Sequence, residues 1–265
     1  MKKMRLALLV MAMALVPATA AFAQSAEGEV IVVHGVPDLP VDIYVNGDLT
    51  FENSSFGDVF GPLALPEGSY DIEIYATGAD PEAGDPALAG SADLPAGAVA
   101  TIAAYLQEGG APTLGVFVEN NSSTAAGDAR ITARHLADFG AVDVLANDGA
   151  VWEGVTNGQG ADTDVPADTY NIKITAAGDP GTVAFDADVP LGEGTNTIAY
   201  AIGSVGGGSF QVATAAISGL AEAPAGVPTG TAGLASESNI MIPLALAGLA
   251  VIALGGTAVL ARKEQ

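Results

Sequence analysis

Two histidine–aspartate pairs contain the side chains of this sequence that could take part in a chemical reaction. His34 stands eight residues before Asp42 in VVHGVPDLPVDIYVNGD (residues 32–48), and His135 stands eight before Asp143 in TARHLADFGAVDVLAND (residues 132–148). An imidazole beside a carboxylate could act as an acid–base pair or contribute two ligands to a metal. The same pair could form a structural hydrogen bond that fixes a loop, and this second interpretation is the one we favour.

The rest of the chain contains few residues or motifs that could support catalysis. No G-x-S-x-G motif is present, so a serine nucleophile in a strained turn is not indicated. The chain has no cysteine, which excludes thiol catalysis and thiolate metal sites. Each half offers one histidine, whereas a zinc site needs three or four ligands. We therefore predict no catalytic residue, no metal site and no cofactor.

Two further features could contact a ligand. The loop of Pro37, Asp38, Leu39 and Pro40 follows the first histidine and is the better candidate for a contact surface, although a rigid turn is its usual meaning. Trp152, the only tryptophan, could form a platform for a sugar, but filling a core is its more common use.

These residues belong to a stretch of sequence that is used twice. Residues 30–118 align with residues 131–217 in three blocks that recur in the same order. After the histidine block come LPEGSYDIEIYATGADP with VPADTYNIKITAAGDP, and LPAGAVATIAAYL with VPLGEGTNTIAYAI. Two copies of about ninety residues indicate the tandem duplication of one domain and not a solenoid.

Each copy has the period of two that is typical of strands with one buried face. Tyr70, Ile72 and Ile74 alternate with Asp71 and Glu73, and turn signals such as Asn-Gly-Asp and Pro-Glu-Gly separate the segments. We predict strands in the first copy near residues 30–34, 41–46, 49–52, 58–65, 69–76, 86–93, 98–106 and 113–118. The predicted fold class is all-β: two tandem immunoglobulin-like antiparallel β-sandwich domains, plus a C-terminal transmembrane helix.

The N-terminal residues are typical of a secretory signal peptide. Basic residues open the chain, an apolar run from Leu6 to Val16 follows, and Ala21, Phe22 and Ala23 form a small-x-small cleavage pattern. We expect cleavage after Ala23, which would send the body of the chain out of the cytoplasm.

The C-terminal residues predict a single-pass membrane anchor. Residues 240–261 are uncharged and apolar, and as a helix they would span about 33 Å, enough to cross a bilayer core. Arg262 and Lys263 follow, and basic residues stay on the cytoplasmic side. We therefore expect a protein in the cell membrane with the bulk of its chain extracellular.

The charge of the chain limits its partners. All but Glu264 of the 31 acidic residues lie between the two predicted ends, against three basic residues there, Arg130, Arg134 and Lys173. A surface so acidic repels phosphate backbones, so we expect no nucleic-acid partner. The carboxylates match no calcium-loop spacing, so divalent cations would bind without specificity.

The predicted order of segments follows from the repeat and the ends. It is a signal peptide (1–23), a first sandwich (24–119), a linker (120–128), a second sandwich (129–217), a flexible stalk (218–239), a transmembrane helix (240–261) and a cytoplasmic tail (262–265). The stalk is rich in small residues, proline and glycine, and has no periodicity.

The quoted blocks of the first copy resemble the DUF4397 domain, a domain of unknown function found in secreted and surface proteins of bacteria and archaea. The resemblance covers about ninety residues of the first copy. The second copy departs from it: Leu-Ala-Asp-Phe follows His135 where Gly-Val-Pro-Asp follows His34, and Leu145 and Ala146 replace Tyr44 and Val45. The resemblance implies a surface location and no activity.

Three functions from different classes fit the sequence. The first is a non-catalytic binding or adhesion module for a protein or carbohydrate ligand at the cell surface. The second is a structural, acidic cell-envelope protein without a specific ligand. The third is a hydrolase that uses His34 and Asp42, which the lack of a nucleophile argues against. We favour the first.

Overall fold

The computed structural model describes residues 26–222 of the 265-residue chain. The predicted signal peptide, transmembrane helix and cytoplasmic tail, and all but the first residues of the predicted stalk, lie outside this range. Within residues 26–222 there is no helix long and apolar enough to cross a membrane.

Sixteen strands make up this part of the chain, and no helix occurs in it. The first eight are β1 (Glu27–His34), β2 (Val41–Val45), β3 (Asp48–Ser54), β4 (Val59–Pro66), β5 (Gly68–Ala76), β6 (Leu88–Leu94), β7 (Val99–Leu106) and β8 (Pro112–Glu119). The second eight are β9 (Asp128–Asp138), β10 (Val142–Ala146), β11 (Gly149–Val155), β12 (Gln159–Pro166), β13 (Thr169–Ala176), β14 (Asp179–Pro190), β15 (Asn196–Ser204) and β16 (Gln211–Ile217). The all-β prediction is confirmed.

The strands form four sheets of four strands each, and the two halves of the chain repeat one topology. The first half has the sheets β4-β1-β7-β8 and β3-β2-β5-β6; the second has β12-β9-β15-β16 and β11-β10-β13-β14. We call strands β1–β8 the first sandwich and β9–β16 the second sandwich. In each, the inward-facing residues of both sheets form one core, with Val30, Ile43 and Ile72 in the first and Ile131, Val144 and Ile172 in the second.

The sheets are not purely antiparallel, which corrects the predicted fold class. β1 pairs in parallel with β7, and β9 pairs in parallel with β15. Between β1 and β7 the chain crosses to the opposite sheet for β2 and β3, returns as the edge strand β4, and crosses again for β5 and β6. Such a crossover brings the strand back in the original direction, and this is the condition for a parallel pair.

The two sandwiches share a third hydrophobic cluster. Val30 and Val32 face the core of the first sandwich, whereas Ile31 and Val33, on the other face of β1, pack against residues of the second. All eight residues of β7 are buried, so this strand is covered on both faces. The shared cluster comprises Ile31, Val33, Val99, Ala103, Tyr105, Leu136, Ile198, Tyr200, Ile202, Ile217 and Leu220. All three clusters lie within residues 26–222, so we expect this part of the chain to fold without the rest.

Two arginines of β9 fasten the segment that joins the sandwiches. Arg130 forms two hydrogen bonds with Asp164, of 2.6 and 2.9 Å, and its third nitrogen binds the carbonyl of Ser122 at 2.9 Å. Arg134 reaches Glu119 at the end of β8. Residues 120–127 between β8 and β9 are therefore held against the second sandwich by a buried guanidinium.

Candidate binding cavity in the first sandwich

His34 fixes the loop that follows β1. Its ring is 1% exposed, and its Nε2 lies 2.8 Å from the carbonyl oxygen of Leu39. Because a carbonyl only accepts, Nε2 carries a proton and donates it to Leu39. Burial lowers the pKa of His34 below its usual value of 6.5, although the bond to Leu39 and the charge of Asp58 act in the opposite direction. The ring is therefore neutral, and its role is to hold the Pro37–Pro40 loop.

Asp42 fixes two other backbone segments. Its carboxylate accepts from the N–H of Asn53 at 2.8 Å and from the N–H of Gly78 at 3.0 Å. These two bonds, the one to Asn53 first, lower the pKa of Asp42 below its usual value of 3.8. The ionised carboxylate thus ties the end of β3 and the turn after β5 to β2.

The predicted contact between His34 and Asp42 is not formed. Val41 and Ile43 face the core, so Asp42 between them projects from the outer face of its sheet, away from the ring of His34. The second sandwich repeats the arrangement: His135 binds the carbonyl of Gly140 at 3.0 Å, and Asp143 accepts from Gly154 and Gly178 at 2.8 Å each. The repeated residues are therefore separate loop anchors, and the alternating faces of a strand explain why the pairing prediction was wrong.

The Pro37–Pro40 loop, the predicted contact surface, lies beside His34. Asp38 has a φ of 61°, in the left-handed region, and Leu39 is 38% exposed. The loop is thus accessible and held in one shape through the Leu39 carbonyl. No group of three or more histidine or acidic side chains that could hold a metal occurs in residues 26–222.

An apolar cavity lies between the two sheets of the first sandwich, at the end remote from His34. Its volume is about 210 Å³. It begins beside the β2–β3 turn, where Asn46 and Gly47 both have positive φ, as the sequence Asn-Gly predicts. The apolar lining comes from both sheets: Val30, Val32, Leu63, Leu65, Ala100 and Ile102 from one, and Ile43, Val45, Phe51, Tyr70, Ile72 and Leu94 from the other.

The same place in the second sandwich is filled. The space left there is about 10 Å³. Trp152 pairs with Val144 as Phe51 pairs with Ile43, so the larger indole occupies the position of a phenyl ring. Val189 pairs with Tyr170 as Ala92 pairs with Tyr70, which adds further volume. Trp152 is thus half-buried and packs against the core of the second sandwich.

A stacked aromatic pair accompanies the open cavity. The rings of Phe51 and Phe60 lie 4.4 Å apart at an angle of 26°. Phe60 pairs with Val32 of β1, and the residue that pairs with Ala133 at the same place in the second sandwich is Ala161. Phe51 therefore packs on a neighbouring ring where Trp152 has none.

The first half of the chain matches a known domain family. The family model described as "Domain of unknown function (DUF4397)" matches residues 28–145. The chain is a DUF4397 domain-containing protein. The match spans nearly all of the first sandwich and continues through β9 into β10. No curated protein matches the chain.

The mouth of the cavity in the DUF4397 domain is acidic. Asp48 pairs with Val45 and shares its inward face at the open end of the sandwich. Asp93 also contributes to the lining, and its carboxylate accepts a hydrogen bond from Ser69. Leu63, on the rim, is 37% exposed. Gly149 and Pro190 replace the two acids in the second sandwich.

Sequence reasoning missed this cavity. The residues that form it are ordinary alternating core residues, and none of them has a type or a spacing that signals a site. The one available signal was the comparison of the two copies, in which Trp152 stands at the position of Phe51.

Proposed function

We propose that this DUF4397 protein is a non-catalytic binding protein, anchored in the cell membrane, that presents both sandwiches outside the cell. The first sandwich is its binding module, and the second is a rigid support packed against it. The location rests on the residues quoted above from the two ends of the chain. The binding role rests on the cavity.

The difference between the two cavities is the observation that carries this proposal. Both sandwiches have the same strand order, yet about 210 Å³ stays open in one and about 10 Å³ in the other. An empty apolar cavity lowers stability, because its lining loses packing contacts. A filled core is attainable in this topology, as Trp152 demonstrates. The open cavity in the first sandwich therefore supports the proposal that a ligand binds there.

The geometry gives no support to the hydrolase alternative. His34 donates its Nε2–H to the carbonyl of Leu39. Asp42 accepts from two backbone N–H groups on the outer face of the opposite sheet. A general base must reach the proton that it removes, and neither group faces the other.

Ligand-dependent stability tests the binding role. We would measure the melting temperature of residues 24–222 with increasing 4-phenyl-1-butanol, a small neutral apolar probe. A ligand that binds only the folded state raises this temperature by an amount that grows with the ratio of ligand concentration to Kd. Phe51→Trp and Ala92→Val introduce the larger residues that stand at the equivalent positions of the second sandwich, and they should suppress the rise. An unchanged melting temperature in the parent protein, or an equal rise in all three proteins, would refute the cavity as the site.

A further inference from the structure

We infer that the ligand of this cavity is a small molecule with one aromatic or branched apolar group and a cationic amine at one end, held at the mouth by Asp48. This inference rests on the proposed function, because it names the ligand of the same cavity. Its three components are the size of the cavity, the charge at its mouth and the placement of the cations of the chain.

The size of the cavity sets the apolar part of the ligand. Engineered apolar cavities of about 150 Å³ in other proteins bind benzene. The cavity here is about 210 Å³, so it accepts one ring with a short alkyl chain. A peptide segment or the paired chains of a lipid would not fit. The lining is apolar on both sheets, which leaves the polar end of the ligand at the mouth.

The charged side chains at the mouth determine which charge the polar end of the ligand can carry. Asp48 is exposed and lies on the same face as Val45, at the edge of the apolar lining. No lysine or arginine occurs between Gln24 and Ala129, so nothing in the first sandwich could pair with an anionic end. A carboxylate or phosphate at this mouth would face only like charges, whereas an ammonium group would meet Asp48.

The cations of the second sandwich are engaged elsewhere. Arg130 binds Asp164, and Arg134 binds Glu119. Lys173 pairs with Asp148 on the second sandwich. Among residues 26–222 these are the basic side chains that carry full charge, so none of them is available to an anionic ligand in the first sandwich.

The duplicate sandwich supports the link between cavity and acid. Where Trp152 fills the core, the position of Asp48 is occupied by Gly149. The open cavity and the carboxylate at its mouth are thus found together in one copy and are both missing from the other. The acid of the equivalent turn in the second sandwich, Asp148, stands one position earlier and pairs with Lys173.

Three probes with the same apolar body test the inference. They are 4-phenylbutylamine, 4-phenyl-1-butanol and 4-phenylbutanoate, titrated into residues 24–222 at low salt and observed by NMR. We expect contacts from the phenyl protons to the methyl groups of Val45 and Ile72 for the amine and the alcohol. The amine should bind about twofold to fivefold more tightly than the alcohol, since an exposed charge pair contributes modestly, and the butanoate should bind most weakly.

A matched pair of variants separates Asp48 from the general acidity of the protein. Asp48→Asn should reduce the preference for the amine over the alcohol, with Asp93 left as the remaining acid of the lining, and should leave the affinity for the alcohol unchanged. Asp71→Asn makes the same change of charge on the outer face of β5 and should preserve the preference. The preference should also weaken with added salt, because salt screens exposed charges.

The outcomes distinguish the two proposals. Equal affinity for the three probes, tightest binding of the butanoate, or an equal effect of the two variants would overturn the amine and leave the cavity as a binding site. Failure of all three probes to contact Val45 and Ile72 would overturn the binding role together with this inference.

Discussion

Arg134 of the second sandwich donates to both carboxylate oxygens of Glu119 in the first, at 3.3 and 2.8 Å. Glu119 is 3% exposed and also accepts the hydroxyl proton of Thr101 at 2.7 Å. The hydroxyl of Tyr200 lies 2.7 Å from the same Thr101 oxygen. One buried acid of β8 is thus surrounded by donors from both sandwiches, within their shared apolar cluster.

Removal of this pair should destabilise the protein strongly. Arg134→Ala would leave Glu119 buried without its cation, at a cost of about 3 kcal/mol or more in the free energy of unfolding. Urea denaturation of residues 24–222 measures it. Lys173→Ala is the control, since Lys173 forms its pair with Asp148, which is 80% exposed, and should have a much smaller effect. Equal losses in the two variants would show that the buried pair contributes no more to stability than the exposed one.

The effects of substitutions at His34 and Asp42 should add. The two residues share no hydrogen-bond partner and project from different sheets, and independent sites are additive within about 0.5 kcal/mol. Asp42→Asn keeps one acceptor for two N–H groups and should cost about 1–3 kcal/mol. We would compare His34→Gln, Asp42→Asn and the double variant by urea denaturation. A double variant less destabilised than the sum would instead indicate direct coupling.

The stability of the protein should fall as the pH drops below 6.5. Burial lowers the pKa of His34 and of His135 in the folded state, so the unfolded chain binds more protons in this window. Stability contributed by the neutral rings is complete above the unfolded value of 6.5 and is lost as the pH falls towards the folded values. Unfolding free energies between about pH 7 and pH 5 measure the slope. The His34→Gln/His135→Gln double variant should have a flatter profile, and a profile identical to the parent would contradict this assignment.

The first sandwich should not fold well alone. Residues 24–125 would expose Ile31, Val33 and Tyr105, which pack against the second sandwich, and would leave Glu119 without Arg134. We expect residues 24–222 to unfold in one transition, and the fragment to melt at a much lower temperature or to aggregate. Circular dichroism and sedimentation measure both. A fragment that melts cooperatively at the temperature of the whole would mean that the shared cluster contributes little.

The proposed topology predicts which tags are accessible on cells. An epitope after Gln265 should be labelled only after permeabilisation, because the basic residues that precede it hold the tail inside. An epitope inserted after Ala225, in the predicted stalk, should be labelled on intact cells and is the positive control. Labelling of the Gln265 tag on intact cells would reverse the proposed orientation.

Local pattern was sufficient to predict the strands of the first sandwich. Each predicted segment overlaps one observed strand, as with 41–46 for Val41–Val45 and 98–106 for Val99–Leu106. Alternation and turn residues are properties of a few neighbouring positions, so one sequence contains them. Even the double burial of β7 had a signal, since its run VATIAAYL is mainly apolar on both faces.

The hydrogen-bond and packing partners of individual side chains could not be predicted from the sequence. His34 and Asp42 occur in consecutive strands, but these strands belong to opposite sheets. The cavity depends on how Phe51 rests on Phe60 across two edge strands. Such distances arise from the packing of segments far apart in the chain, and the spacing of residue types does not determine them.

The placement of the basic residues makes the described part of the chain a poor substrate for trypsin-like proteases. Arg130 and Arg134 lie in β9 and Lys173 lies in β13, and each of these strands is paired on both sides. A protease needs an unpaired, accessible segment, so cleavage at these positions requires that the sheets first open. The rate of tryptic cleavage of residues 26–222 is therefore a measure of how often the whole body of the protein unfolds.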